Sequence, residues 1–155
     1  MISGTSAETL VALPGWRAPC AGGGGVEGCS LVIPTFERPR ETLALLAHLA
    51  ALPDRPVEVV VVDGSPSSDL DVAMRRWSAS RALPFALVYV RAPRGLTRQR
   101  NAGIHISAGR YIFFLDDDAV PQPGYFAAVA RVFERNPAVG GVGGAIVNQM
   151  DRPLN

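Results

Sequence analysis

The chain has 155 residues, of which 48% are hydrophobic and 19% are charged. This length and composition predict a single globular domain with a hydrophobic core rather than two domains. Fifteen basic and fourteen acidic residues leave a formal net charge of +1, which argues against a protein that binds nucleic acid or an acidic membrane surface through its overall charge.

The first 29 residues show no sustained hydrophobic period, and they include a glycine run at residues 22–25 that is costly to order. We therefore expect a flexible leader over residues 1–29 and one folded domain over residues 30–155. No apolar run approaches the roughly 20 residues that a bilayer span requires, and the N-terminus does not resemble a secretory signal. These features predict a cytoplasmic protein without a transmembrane segment. Cys20 and Cys29 lack metal-binding spacing, so we expect their role to be structural or incidental.

From residue 30 onward, short β-rich apolar runs alternate with segments of helical period, an order typical of βα units with a mostly parallel sheet. The apolar runs predict strands at residues 30–34, 57–62, 85–91, 111–115 and 139–147. Helices are predicted at residues 38–52, 69–80, 96–107 and 123–136, with Ser68 or Asp69 capping the second and Thr97 the third. The fourth helix would bury a face with i, i+3, i+4, i+7 spacing, formed by Phe126, Val129, Ala130 and Phe133. The sequence therefore predicts an α/β fold in which helices flank a mostly parallel, twisted sheet.

Polar segments follow three of the predicted parallel strands at their carboxyl ends. They are PTFER after the first strand, DGSPSSD after the second and DDDAVPQPG after the fourth. Because ligands bind outside the carboxyl ends of the strands in open α/β sheets, we expect these three loops to line a single cleft.

Asp116, Asp117 and Asp118 follow the fourth predicted strand directly, where adjacent carboxylates repel one another and are costly to desolvate. A divalent cation would relieve this cost, since Mg²⁺ and Mn²⁺ take hard oxygen ligands from one or two carboxylates, water and substrate phosphates. The sequence therefore favours a metal that holds a diphosphate, and the alternative is a solvated acidic turn. His48 and His105 do not lie at strand ends, and we expect both to be structural.

Asp63 ends the apolar run VEVVVV, where its carboxylate would accept hydrogen bonds from a base or a ribose. Alternatively, Asp63 forms a helix cap or an Asx turn with Ser65. Arg94, Arg98 and Arg100 lie near the start of the third predicted helix, where guanidinium and free N–H groups both suit phosphate oxygens. Each arginine alone is more typical of a solvated surface charge, but we expect at least one of them to reach the cleft.

Over about residues 30–149, the chain resembles the donor-binding half of a glycosyltransferase family 2 enzyme with the GT-A fold. The matching segments, in the order and spacing of that family, are SLVIPTFERP, VEVVVVDGSPSSD, RGLTRQRNAGI and YIFFLDDDAVPQPGYFAAVARVFERNP. The resemblance implies a Rossmann-like nucleotide-sugar binding domain and a metal-dependent, inverting transfer of a sugar from a nucleotide diphosphate. The default donor is a UDP-sugar, the acceptor is unidentified, and Mn²⁺ or Mg²⁺ would stabilise the departing diphosphate.

The resemblance also implies roles for single residues in the first three segments. Pro34, Thr35 and Glu37 would contact the nucleotide from the first loop, and Asp63 would contact the base. Arg100 in RNAG would help to organise the base and diphosphate region.

The acidic stretch would be the DxD motif of the family. Asp118 would be the direct metal ligand, and Asp116 would lie towards the ribose or a metal-bound water. Asp117, grouped with the donor-binding residues, occupies the variable middle position.

Family members continue with a region that supplies acceptor contacts and a general base, whereas this sequence ends at NQMDRPLN, with Asp151 as its one later acidic residue. We therefore expect a C-terminally incomplete domain without an assigned base, whose exposed sheet edge a homo-oligomer would cover. The first alternative is a catalytically incomplete nucleotide-sugar binding module. A haloacid dehalogenase-like phosphatase is more remote: FFLDDDAV fits its aspartate motif, but that motif usually lies on the first strand, and the chain has no lysine for the later motif.

Overall fold

A five-stranded sheet forms the centre of the structure, a computed structural model that describes residues 13–22 and 24–145. In chain order the elements are β1 (Gly15–Ala18), β2 (Val26–Thr35), α1 (Pro39–Ala51), β3 (Pro56–Asp63), α2 (Asp69–Ala79), β4 (Ala86–Arg91), α3 (Leu96–Ile106), β5 (Tyr111–Phe114) and α4 (Tyr125–Arg135). The strand order is β1-β4-β3-β2-β5, with β1 antiparallel to β4 and every other pair parallel. The predicted α/β class with a mostly parallel sheet is confirmed.

The sheet is buried on both faces, which explains why β3 reads as an almost uninterrupted run of valines. Alternate residues along a strand face opposite sides of a sheet. Val59 and Val61 accordingly belong to a large core shared with α1, α2 and α4, whereas Val60 and Val62 belong to a smaller core beside α3. The predicted apolar face of α4 lies in the large core, where Phe126, Val129 and Ala130 are buried and Phe133 is partly buried.

The structure differs from the sequence prediction at the N-terminus, where a flexible leader was expected over residues 1–29. Residues 15–18 form β1, and β2 begins at Val26 rather than at residue 30. The Trp16 ring stacks on Tyr89 with 5.8 Å between ring centroids, and a Cβ at Gly15 would overlap the Tyr89 carbonyl oxygen. The apolar area of one tryptophan and a glycine that permits close backbone approach hold this short strand on the sheet. Residues 1–12 lie outside the described residues.

The predicted strand at residues 139–147 is wrong over residues 139–145, which adopt no regular structure, and residues 146–147 lie outside the described residues. Strand residues are stabilised by side-chain packing against neighbours, which glycine does not provide. An added Cβ at Gly140, Gly141 or Gly143 would meet open space within the described part of the chain.

Helix boundaries agree with the predictions within about two residues, and Ser68 holds the predicted N-cap position of α2, whereas Thr97 does not cap α3. Ser68 precedes α2 without a capping hydrogen bond from its side chain. The N-cap of α3 is Gly95, with φ 140°, rather than Thr97, which lies inside the first turn. Among the residues that the structure describes, no helix has the length and apolar character needed to cross a membrane.

Candidate functional site

The loops after β2 and β5 meet at one edge of the sheet, beside the start of α3. The chain passes through β2, β3 and β4 in spatial order and then returns to place β5 on the other side of β2. Such a reversal of strand order is where open α/β sheets bind ligands. An open cleft of about 390 Å³ lies there, lined by Pro34, Thr35, Phe36, Arg38, Arg94, Gly95, Leu96, Gln99, Asp116, Asp117 and Asp118.

Asp117 is the most enclosed of the three consecutive aspartates, with 7% of its surface exposed. Its Oδ2 accepts a hydrogen bond of 2.7 Å from the Thr35 hydroxyl, and its Oδ1 accepts one of 2.9 Å from Arg38 Nη1. The Thr42 hydroxyl of α1 lies 3.0 Å from that of Thr35 and donates to the Arg38 carbonyl oxygen. Because both of its carboxylate oxygens have partners within the protein, Asp117 anchors the acidic loop to β2 and α1.

Asp116 and Asp118 flank this anchor, and their side chains are 58% and 63% exposed. Arg38 Nη1 also donates to Asp118 Oδ2 at 2.8 Å, and Arg100 Nη2 donates to Asp116 Oδ1 at 3.1 Å. The hydrogen bond from Arg38 holds the pKa of the Asp118 carboxyl below its usual range. The same hydrogen bonds, to Asp118 and Asp117, raise the pKa of the Arg38 guanidinium. Two arginines therefore offset much of the negative charge of this loop.

Asp63 is fully buried at the end of β3 and is not among the residues that line the cleft. Its Oδ1 accepts a hydrogen bond of 2.8 Å from the Ser65 backbone N–H, so the Asx turn left open by the sequence is formed. Its Oδ2 accepts a hydrogen bond of 2.8 Å from the Tyr89 hydroxyl. Burial and this hydrogen bond both raise the pKa of Tyr89, burial being the larger cause. The carboxylate therefore fixes the loop after β3 from within.

The first loop places Pro34 and Thr35 in the cleft but directs Glu37 elsewhere. Glu37 has φ 54°, a left-handed conformation that is uncommon outside glycine. Its backbone N–H donates to Ser65 Oγ at 2.7 Å, which ties the loops after β2 and β3 together. Glu37 thus shapes the cleft through its backbone, and its exposed side chain lies outside the cleft lining.

Two of the three arginines near α3 reach this region. Arg94 lines the cleft with its guanidinium carbon 4.2 Å from the centre of the Phe36 ring, and Arg100 pairs with Asp116. Arg100 Nε is buried and has no hydrogen-bond partner among the described residues. Neither Arg98 nor Arg100 is among the residues that line the cleft.

Sequence reasoning assigned no role to Phe36, Arg38 or Gln99, all of which line the cleft. Gln99 is 4% exposed, and its side-chain amide donates hydrogen bonds of 2.8 Å to the carbonyl oxygens of Thr35 and Val62. Its partners are backbone atoms distant in sequence, which no pattern reveals. For Arg38 a signal existed, because it lies three residues beyond Thr35 in a loop that follows a parallel strand.

His48 has a structural contact, as the sequence predicted. His48 Nε2 lies 2.8 Å from the Pro121 carbonyl oxygen, which can only accept, so this nitrogen carries the proton. The bond attaches the segment after the aspartates to α1. His105 lies in α3 away from the cleft.

The donor chemistry of the acidic loop suits a hard divalent cation. In residues 13–22 and 24–145, no group of three or more His, Cys, Asp or Glu side chains is arranged to hold a metal ion. Mg²⁺ and similar ions, however, often bind through one or two protein carboxylates and complete their shell with water and substrate phosphates. Asp116 and Asp118 supply two exposed carboxylates of this kind, while Asp117 is already occupied.

Comparison with known proteins gives one family match and one curated relative. The model of a family described as "Glycosyl transferase family 2" matches residues 30–155. A protein of Haemophilus influenzae named "Uncharacterized glycosyltransferase" is 29% identical over 110 residues, which are 71% of this chain and 36% of that protein.

Several solved structures share the fold at low sequence identity. The structure of S. aureus TarS 1-349 has a TM-score of 0.57 at 23% identity, covering 80% of this chain and 39% of that one. Mannosyltransferase PcManGT from Pyrobaculum calidifontis, in complex with GDP-Man and Mn²⁺, has a TM-score of 0.60 at 23% identity, covering 81% and 37%. The structure of TarS 1-349 in complex with UDP-GlcNAc has a TM-score of 0.57 at 23% identity, covering 80% of this chain and 37% of that one. The predicted GT-A-like fold is confirmed, and the chain spans little more than a third of the length of these relatives.

Proposed function

This chain belongs to glycosyl transferase family 2, and on that premise we propose that its cleft binds a nucleotide-diphospho-sugar together with Mn²⁺ or Mg²⁺ for inverting transfer of the sugar. The observation that carries the proposal is the position of Asp116–Asp118, with Arg38 and Arg94, in one open cleft where the strand order reverses. The complexes of the structural relatives, with GDP-Man and Mn²⁺ or with UDP-GlcNAc, support this donor class. Membership of this family leaves the phosphatase alternative without support.

Asp118 and Asp116 are the residues that would hold the metal, because their carboxylates are exposed at the cleft. When bound there, the cation would neutralise charge that develops on the departing diphosphate. We give Asp117 a different part from the donor contact that the sequence suggested. Its bonds to Thr35 and Arg38 keep the acidic loop at a fixed distance from β2, so it orients the other two carboxylates.

The cationic side chains of the cleft would receive the diphosphate. Arg94 and Arg38 line the cleft, and their guanidinium groups are donors that suit phosphate oxygens. Arg100 does not line the cleft, so it would act through its ion pair with Asp116 rather than by direct contact with the diphosphate. Binding in a partly enclosed cleft strengthens these contacts and holds the anomeric carbon in one position.

Pro34 and Thr35 would form the floor of the nucleotide site, and Glu37 would shape it through its strained backbone. Contact between Asp63 and the base requires this carboxylate, which is 0% exposed, to become accessible through a movement of the loop after β3. A general base must lie near the anomeric carbon, and the carboxylates that line the cleft in the described part of the chain are Asp116, Asp117 and Asp118.

The proposal is tested by calorimetric titration of the purified protein with UDP, GDP and dTDP, each with and without Mn²⁺. We expect binding of at least one nucleotide that depends on Mn²⁺ and weakens by at least roughly tenfold in Asp118→Asn. Asp69→Asn is the matched control, because it makes the same charge change at an exposed residue of α2 outside the cleft. The proposal is wrong if the folded protein binds none of the nucleotides, or if Asp118→Asn binds as the control does.

A further inference from the structure

One guanidinium nitrogen joins two neighbouring carboxylates at the mouth of the cleft. Arg38 Nη1 lies 2.9 Å from Asp117 Oδ1 and 2.8 Å from Asp118 Oδ2. The two contacts differ in their surroundings, because the Asp117 side chain is 8% exposed and that of Asp118 is 63% exposed. The contact with Asp118 is therefore the one that water or an ion reaches readily.

The backbone of Arg38 is held independently of its side chain. Arg38 is the residue before α1, and its carbonyl oxygen accepts hydrogen bonds from the Thr42 backbone N–H at 3.1 Å and the Thr42 hydroxyl at 2.8 Å. Pro39, at the first helical position, further restricts the chain at this point. The guanidinium can therefore leave Asp118 by rotation of its own side chain, without movement of the loop or the helix.

We propose that Arg38 is an internal counter-cation, which a divalent metal ion must displace from Asp118 before that carboxylate can bind the metal. The inference rests on the proposed function, which places the metal at Asp118. A guanidinium that bonds to one carboxylate oxygen repels a cation that approaches the same carboxylate. In the absence of metal, Arg38 offsets the repulsion among the three consecutive aspartates. Asp117 retains the guanidinium within the cleft after the exchange, because this buried carboxylate is also fixed by Thr35.

This competition predicts opposite effects of one substitution on metal affinity and on the stability of the metal-free protein. In Arg38→Gln, Asp118 loses its cationic partner, so Mn²⁺ should bind roughly two- to fivefold more tightly, the size expected for one exposed ion pair. The melting temperature without metal should fall, and Mn²⁺ should raise it by more than in the wild type. A residue with only a structural role would weaken both metal binding and stability.

The experiment titrates the wild type, Arg38→Gln and Arg40→Gln with Mn²⁺. Binding is measured by calorimetry or from the electron paramagnetic resonance signal of free Mn²⁺. The titration is done without nucleotide, because Arg38 is also proposed to contact the diphosphate. Arg40→Gln is the matched control, because Arg40 is an exposed arginine in the first turn of α1, two residues from Arg38, with no ion pair in the described part of the chain. We expect tighter Mn²⁺ binding in Arg38→Gln than in Arg40→Gln. Equal or weaker binding by folded Arg38→Gln would overturn the inference.

Failure of the inference and failure of the proposed function give different results. If the wild type binds Mn²⁺ and UDP and Asp118→Asn does not, but Arg38→Gln matches Arg40→Gln, only the inference fails. If the folded wild type binds neither Mn²⁺ nor UDP, the proposed function fails and the inference fails with it. Circular dichroism checks the fold of each variant. If Arg38→Gln is unfolded, Arg38→Lys replaces it, since lysine lacks the guanidinium fork and should hold Asp118 less firmly; no tightening in that variant overturns the inference.

Discussion

Replacement of Gly103 by alanine should destabilise the protein by about 2 kcal/mol, although alanine is the better helix former. Gly103 is buried in α3 against β2, and an added Cβ would overlap Val32 Cγ1 and lie 2.9 Å from Val32 Cγ2. Val32 is fully buried and paired on both sides, with Val60 of β3 and Phe114 of β5, so it has little room to move. Overpacking at such a site costs about 3 kcal/mol, the upper end of its usual range, and helix propensity returns about 1 kcal/mol.

Urea unfolding followed by circular dichroism measures this change, with the slope m checked to be the same in each variant. Val32→Ala and the double variant complete a cycle. The double variant should be more stable than the sum of the single effects predicts, because the alanine methyl at position 103 would occupy the space left by the valine methyls. The reasoning is refuted if Gly103→Ala is as stable as the wild type, or if the two effects add within about 0.5 kcal/mol.

Gly103→Ala should also change the geometry of the cleft. Gln99 lies one turn before Gly103 in α3, and its amide bonds to the carbonyl oxygens of Thr35 and Val62 fix the helix over the ends of β2 and β3. A helix pushed away from the sheet would lengthen these bonds of 2.8 Å. We therefore expect weaker nucleotide binding in Gly103→Ala as well as lower stability.

Two further predictions concern stability alone. The raised pKa of buried Tyr89 means that the unfolded chain loses this proton near pH 10 while the folded protein keeps it, so stability should be complete below pH 10 and fall above it by about 1.4 kcal/mol per pH unit. Tyr89→Phe should remove that part of the slope in urea titrations across this range, and an unchanged slope would contradict the assignment. Asp54 accepts hydrogen bonds from the Gly124 and Ala127 amides at 2.8 and 3.2 Å, so Asp54→Ala should cost about 1–2 kcal/mol as a lost helix cap. Thermal unfolding of Asp54→Ala, with Asp69→Ala as the control, measures this loss. Equal unfolding midpoints of the two variants would show that the start of α4 does not depend on Asp54.

The sheet was predictable from the sequence where burial on both faces selected β-branched residues. The run at residues 57–62 shows this directly, because both faces of β3 meet apolar side chains. The four-residue strand β1 carries no such pattern. It is held by contacts between Trp16 and Tyr89, which are 73 positions apart, and a single-sequence pattern does not register contacts at that separation. The predicted strand at residues 139–147 failed for the opposite reason, since its apolar residues are separated by glycines that provide no packing.

The general position of the cleft was predictable from one rule, that polar residues at the carboxyl ends of parallel strands lie together. The rule placed three loops in one cleft. The loops after β2 and β5 do line it, with Thr35 bonded to Asp117, but no residue of DGSPSSD does. The rule did not show which carboxylates already have hydrogen-bond partners within the protein. Asp63 satisfies both oxygens with Ser65 and Tyr89 inside the protein, so its burial reduces its access to a ligand.

Three consecutive aspartates at the end of a strand pose an electrostatic problem that the protein solves in two ways. The middle carboxylate is desolvated and therefore needs full hydrogen bonding, which Thr35 and Arg38 provide. The outer two remain in water and require only partial neutralisation, from Arg100 at Asp116 and from Arg38 at Asp118. Since exposed ion pairs are weak, a cation that binds more strongly can replace the arginines at Asp116 and Asp118. Loss of Arg38 from Asp117, by contrast, would leave a buried charge unpaired. The burial of one carboxylate thus fixes the loop, and the exposure of its neighbours keeps them available for a ligand.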